Sequence, residues 1–200
     1  TDSLGKKFGK SEGNAIWLDA KKTSPFRFYQ FWLNLPDAEI EHYLNVYTFL
    51  SLVEIGALME LHRRNPAERQ AQETLARLVT ETVHGPAATA QVAAATDALF
   101  GDTPFSELSR EALAVALAEA PSVKLSKKDV ADGSSLAVAL VAGGLASSKG
   151  DARRLITGKG ITLSGQTIEN PDQKIFPGDF SAGHALVRKG KQGVLILVLK

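Results

Sequence analysis

Ser147-Ser148-Lys149-Gly150-Asp151-Ala152-Arg153-Arg154-Leu155-Ile156 leads into Gly158-Lys159-Gly160-Ile161-Thr162-Leu163-Ser164-Gly165. Ser148 and Asp151 form an S-x-x-D box, which predicts a helix running to Thr157. A glycine-flanked turn follows, and Ile161–Leu163 reads as a short strand closed by Ser164-Gly165. Lys149 and Arg153 are four residues apart and therefore share a helix face. Lys159, in the turn, extends that patch. Guanidinium groups suit phosphate because their planar fork makes paired hydrogen bonds. The competing reading pairs Arg154 with a carboxylate and leaves Lys149 merely solvated. Asp151 is the only acid nearby in sequence, so Lys149, Arg153 and Lys159 are expected to contact phosphate, with Arg154 standing between the two readings.

Downstream, strands are expected at 166–168, 185–188 and 194–199, with turns at Gly165 and at Lys189-Gly190-Lys191-Gln192-Gly193. Upstream, Ser134-Ser135 is placed to cap a helix over Leu136–Ala142. Two helices followed by a small antiparallel sheet make residues 134–200 a compact α+β module. Arg188, Lys189 and Lys191 form a second basic hairpin tip, which touches the same phosphates or nothing. Residues 121–133, rich in Lys, Asp, Pro and Gly, read as a linker.

Residues 20–120 read as a bundle of five or six short helices. Ser24-Pro25 starts the first, with Ser as N-cap and Pro at the first helical position. Phe26, Phe28, Tyr29, Phe31 and Trp32 follow; bases stack on such residues, but their helical spacing favours a core. Asp37 is expected to cap a second helix with Ile40, Tyr43, Leu44 and Tyr47 on one face. Ser51-Leu52-Val53-Glu54 is a capping box for a third, with Ile55, Leu58, Met59 and His62 inward. His62 reads as a boundary residue, since no second His or carboxylate shares its face. A fourth helix ends after His84 at Gly85-Pro86, where His84 is a helix-end residue favoured by the dipole. An Ala-rich helix over 87–100 and a sixth capped by Ser109 complete the bundle.

At the other end, Lys7-Phe8-Gly9-Lys10-Ser11 is followed by Glu12-Gly13-Asn14. Two glycines make residues 1–19 read as a mobile loop. Ammonium groups on such a loop close over a polyphosphate and stabilise charge as it develops. The plainer reading is a solvated basic tail.

This loop resembles the Lys-Met-Ser-Lys-Ser signature of class I aminoacyl-tRNA synthetases, in the variant of the bacterial tyrosyl enzymes. Gly13-Asn14-Ala15-Ile16-Trp17-Leu18-Asp19 and Lys22-Thr23-Ser24-Pro25-Phe26-Arg27-Phe28-Tyr29-Gln30-Phe31-Trp32 resemble that family too. The 147–165 stretch resembles a ribosomal S-four-type RNA-binding module, which implies RNA contact by Lys149, Arg153 and Lys159, with Arg154 and the tip residues Arg188, Lys189 and Lys191 as further RNA-binding candidates. The resemblance implies an anticodon-binding helical domain at 20–120, the S-four-like module at 134–200, and a nucleotide-binding α/β domain that is absent. That domain carries a His-x-Gly-His element, and none of His42, His62, His84 and His184 sits in one. The chain thus reads as the C-terminal part of a tyrosine–tRNA ligase, inactive alone. Lys10 and Lys7 would be catalytic, and Lys7, Phe8, Gly9, Lys10 and Ser11 would bind ATP. ATP with Mg2+ would be used by the intact enzyme, with no metal site or bound cofactor in this part. tRNA-Tyr would be the partner. The intact enzyme would be a homodimer through its catalytic domain, with this part monomeric. The rival reading is a non-enzymatic RNA-binding protein built on the C-terminal module.

Charge is segregated. The net charge is +1, but residues 36–120 hold thirteen acids against five Lys/Arg, whereas residues 147–200 hold nine Lys/Arg against four acids. A basic end behind an acidic middle points to a polyanionic partner. There is no Cys, so no disulfide framework or thiolate metal site. The longest apolar stretch, 136–146, is too short to span a bilayer. A cytoplasmic location without membrane attachment is expected.

Overall fold

The computed structural model describes residues 16–190 and 193–200. The expectations placed on Lys7, Phe8, Gly9, Lys10, Ser11 and Lys191 lie outside the described residues. By its contacts the chain separates into two compact units, residues 1–93 and 94–200.

In the first unit, α1 (Pro25–Leu33) begins as its sequence predicts: the Ser24 hydroxyl accepts the Arg27 N–H at 3.2 Å, and Pro25 occupies a position whose donor is not needed. Phe26, Phe28, Tyr29 and Trp32 are buried. Trp32 lies edge-on to Tyr43 of α2 (Asp37–Tyr47), ring centroids 6.0 Å apart. These aromatics therefore build core. α3 (Leu52–Arg64) carries the expected capping box, with the Glu54 N–H donating to Ser51 Oγ and the Ser51 N–H to the Glu54 carboxylate. α4 (Gln70–Phe100), whose residues 94–100 belong to the second unit, has two arms that meet at Gly85, whose φ of 83° and ψ of 163° are non-helical. Gly85 tolerates that conformation and Pro86 starts the second arm, so the helix stop expected at Gly85-Pro86 is present.

Three side-chain expectations need correction here. His62 is buried, and its Nε2 lies 3.4 Å from Asp37 Oδ1, an oxygen that accepts from the Gln72 amide. The carboxylate missing from its own face arrives from the start of α2. His84 is packed edge-on to Phe28 at 4.9 Å, and burial lowers its pKa. A neutral imidazole gains little from the helix dipole, so aromatic packing sets its place. Tyr47 is 44% exposed, next to Val46, Phe49, Leu52 and Val53, all exposed.

In the second unit, Ser109 caps α5 (Arg110–Glu119). Then come β1 (Ser122–Leu125), α6 (Lys127–Ala131), β2 (Ser134–Ser135), α7 (Leu136–Ala142), α8 (Lys149–Thr157), β3 (Ile161–Leu163), β4 (Gln166–Thr167), β5 (Lys174–Ile175), β6 (His184–Lys189) and β7 (Gly193–Leu199). The main sheet has the order β1-β7-β6-β3-β4, and β2 pairs with β5. Leu136 and Leu140 of α7 and Ala152 and Ile156 of α8 share one apolar core with Ile161, Leu163, Val187 and Leu195 of the sheet.

The expected linker at 121–133 is instead built into this unit. β1 runs parallel to β7, with Val123 opposite Leu197 and Leu125 opposite Leu199, and Val130 of α6 is fully buried. The sheet is consequently mixed, not antiparallel as expected. Ser134 and Ser135 form strand rather than a side-chain cap; the Leu136 N–H donates to the Gln173 carbonyl at 3.0 Å.

Candidate nucleic-acid interface

α8 is fixed at both ends by local chemistry. At its start Ser148 Oγ accepts the Asp151 N–H at 3.1 Å, while Asp151 Oδ2 accepts from the Ser147 N–H at 2.9 Å and the Ser147 hydroxyl at 3.0 Å. These Ser147 hydrogen bonds hold the Asp151 carboxyl below its ordinary pKa. At its end the Lys159 N–H donates to the Ile156 carbonyl and the Gly160 N–H to the Leu155 carbonyl, each at 2.9 Å. This is a Schellman closure, and the residue in the left-handed conformation is Lys159, at φ 58°. Glycine usually takes that position because a Cβ is strained there. The flanking Gly158 and Gly160 serve another need: a Cβ would approach the Arg154 carbonyl to 3.2 Å and the Leu155 carbonyl to 3.3 Å, respectively.

Ala152 and Ile156 bury one side of α8, leaving Lys149, Arg153 and Arg154 exposed with Lys159 beyond them. Arg153 Nη2 lies 2.5 Å from Asp172 Oδ1 and Lys159 Nζ 2.7 Å from Glu169 Oε1. Arg154 approaches Asp151 at 3.5 Å, one helical turn back. Lys149 has no ion pair among the described residues. Glu169 and Asp172 were invisible to local sequence reading because they reach α8 only once the chain has passed through β3 and β4.

The second basic group separates. The Arg188 guanidinium is half-buried and committed to the end of α4: Nε donates to the Leu99 carbonyl at 3.0 Å, and Nη2 to the carbonyls of Ala98 and Gly101. The last carbonyls of a helix lack internal partners and carry negative dipole charge, so a cation there is stabilising. Arg188 thus holds structure and is not a free basic tip. Lys189 is exposed and donates from Nζ to the Leu145 carbonyl at 2.9 Å. Beside Arg188 lies a cleft of about 250 Å³ bordered by Phe105, Ser164 and His184.

The family model for class I tRNA synthetases (W and Y) matches residues 1–101. A second model, the tyrosine–tRNA ligase SYY-like C-terminal domain, matches residues 112–197. The chain belongs to the class I tyrosyl-tRNA synthetase family. The tyrosine–tRNA ligase of Anaeromyxobacter dehalogenans is 43% identical over 203 residues, covering 100% of this chain and 48% of that protein. The tyrosine–tRNA ligase of Roseiflexus castenholzii is 44% identical over 194 residues, covering 96% of this chain and 46% of that protein. That of Lactococcus lactis is 41% identical over 200 residues, covering 98% and 46%. The chain spans about half the length of these curated relatives. The second model spans β1 and α8 alike, in keeping with their place in one compact unit.

Proposed function

We propose that this chain is the tRNA-binding C-terminal part of a tyrosine–tRNA ligase, with an anticodon-binding helical domain and an S-four-like module that holds tRNA-Tyr through Lys149, Arg153 and Lys159. The observation that carries the RNA assignment is Lys159. A lysine occupies a left-handed helix-end position that glycine fills at lower cost, and it places an ammonium beside the Lys149/Arg153 face. Local strain kept in this way points to function. Arg154 and Lys189 flank the face, and Arg188 supports the fold.

In the intact enzyme, ATP activates tyrosine with release of pyrophosphate, and tyrosine then passes to the tRNA 3′ end. Lys10, with Lys7, stabilises the charge building on the leaving pyrophosphate, and Phe8, Gly9 and Ser11 complete the loop around the phosphates. Among the described residues no three His, Asp or Glu side chains converge to hold a metal ion; Mg2+ comes, in this reading, with ATP. The intact protein is a cytoplasmic homodimer paired through its catalytic domain. A purely RNA-binding protein built on the C-terminal module leaves the synthetase match over residues 1–101 without a role.

A fluorescence titration of tRNA against salt tests the RNA assignment. With roughly three to four phosphates neutralised, the log–log salt slope should be about −2 to −4. Replacing Lys149, Arg153 and Lys159 together by Ala should flatten it and weaken binding, with the circular dichroism spectrum unchanged. A triple variant that is folded and binds tRNA as the parent does would refute the assignment.

A further inference from the structure

Glu169 and Asp172 have no part in the reading above, yet they hold two of its three cations. We infer that these carboxylates are built-in competitors of RNA: they occupy Lys159 and Arg153 in the free protein, must be displaced when phosphates arrive, and thereby set how tightly and how long RNA is held. This inference rests on the RNA-binding reading.

The loop that carries them is a closed turn. Asn170 Oδ1 accepts the Asp172 N–H at 3.0 Å, and the Gln173 N–H donates to the Asn170 carbonyl at 3.0 Å. Pro171 stiffens the centre. Each end is tied down: the Ile168 N–H donates to the Ile161 carbonyl at 2.9 Å, and the Gln173 carbonyl accepts the Leu136 N–H at 3.0 Å. The carboxylates are therefore presented to α8 from a fixed frame, unlike charges on a loose tail.

Both pairs are exposed, with side-chain accessibilities of 59% and 71% for Arg153 and Asp172 and 63% and 62% for Lys159 and Glu169. Exposed pairs are weak and open readily, so they oppose RNA without excluding it. Lys149 is unpaired among the described residues and can take the first phosphate. Arg153 and Lys159 then exchange carboxylate for phosphate. Each phosphate neutralised releases condensed counterions, but each carboxylate set free recaptures cations from solution. The parent's salt slope should thus be shallower than its cation count implies. A tRNA that must leave after each turnover benefits from such a competitor, because the carboxylates speed its departure.

The test uses Glu169→Gln/Asp172→Asn in the whole chain, titrated with tRNA across salt and followed by stopped-flow dissociation. A control, Glu107→Gln/Glu111→Gln, changes the net charge equally within the same unit. The Glu169/Asp172 variant should bind tRNA about 3- to 20-fold tighter at moderate salt, with slower dissociation and a steeper salt slope. The control should change affinity far less. Unchanged or weakened binding, or a control with the same gain, overturns the inference. The Lys149/Arg153/Lys159 triple variant separates the two ideas. If it binds tRNA like the parent, the RNA-binding reading itself is wrong. If it loses binding while the Glu169/Asp172 variant behaves like the parent, only the competitor role is wrong.

Discussion

In the proposed reading, Lys159 joins local strain to RNA contact at a single residue. Lys159→Gly removes a Cβ from the left-handed position and should raise stability by about 0.5–1 kcal/mol, read as a shift in the urea midpoint. The same change should weaken tRNA binding and lower the salt slope by roughly one phosphate. Tighter folding with undiminished tRNA affinity would leave the ammonium without a role. His84 supplies the pH-sensitive counterpart. Its pKa is lowered by desolvation, so the unfolded chain binds the proton more readily than the folded one. The neutral form's stability is fully present above about pH 6.5 and declines as pH falls from there through the lower folded value. Between pH 7.5 and pH 5.5, roughly spanning that window, the parent should lose more stability than His84→Gln in parallel urea titrations; equal losses would place the proton-linked cost elsewhere.

Among the elements, β1 and α6 depart most from the sequence reading. Val123 and Leu125 are the only apolar residues that β1 turns toward the core, and its partner β7 lies some seventy residues on, in parallel. A strand so short, between charged and turn-forming residues, carries no readable period; pairing at long range creates it. Val130 makes this testable. In a linker its truncation would be silent. Because it is fully buried, Val130→Ala should cost about 1–3 kcal/mol through lost burial and the cavity left behind, measured by chemical denaturation. α8 is the opposite case: its cap, its buried side and its closing turn are all local, and each was readable from residues 147–160.

For the whole molecule, the expectation of a monomer assumed that the apolar residues of the bundle lie in a core. At 46–53 they do not: Phe49 is 97% exposed, Val53 81% and Leu52 78%. Capping explains how the face is held outward. Thr48 Oγ1 donates to the Leu44 carbonyl at the end of α2, and the Ser51/Glu54 box opens α3, so the turn between them is fixed at both ends. Phe49→Ser/Val53→Ser should change the unfolding free energy by less than about 0.5 kcal/mol, as expected of side chains that bury nothing. A larger loss would mean that these residues are covered in solution, and sedimentation of parent and variant would show whether a second copy does the covering.

The sequence by itself determined what depends on neighbours a few residues apart. Ser24-Pro25, the Ser51–Glu54 box, the Gly85-Pro86 break and the Ser148–Gly160 helix and turn follow from capping and backbone sterics, and the C-terminal basic surplus was legible as composition. Only tertiary structure decided which charges remain available. Arg188 went to the end of α4, and Glu169 and Asp172 to Lys159 and Arg153. The reason is the range of the interactions: capping and periodicity act within one or two turns of chain, whereas an ion pair needs only proximity in space, and the sheet brings together residues that the sequence holds far apart.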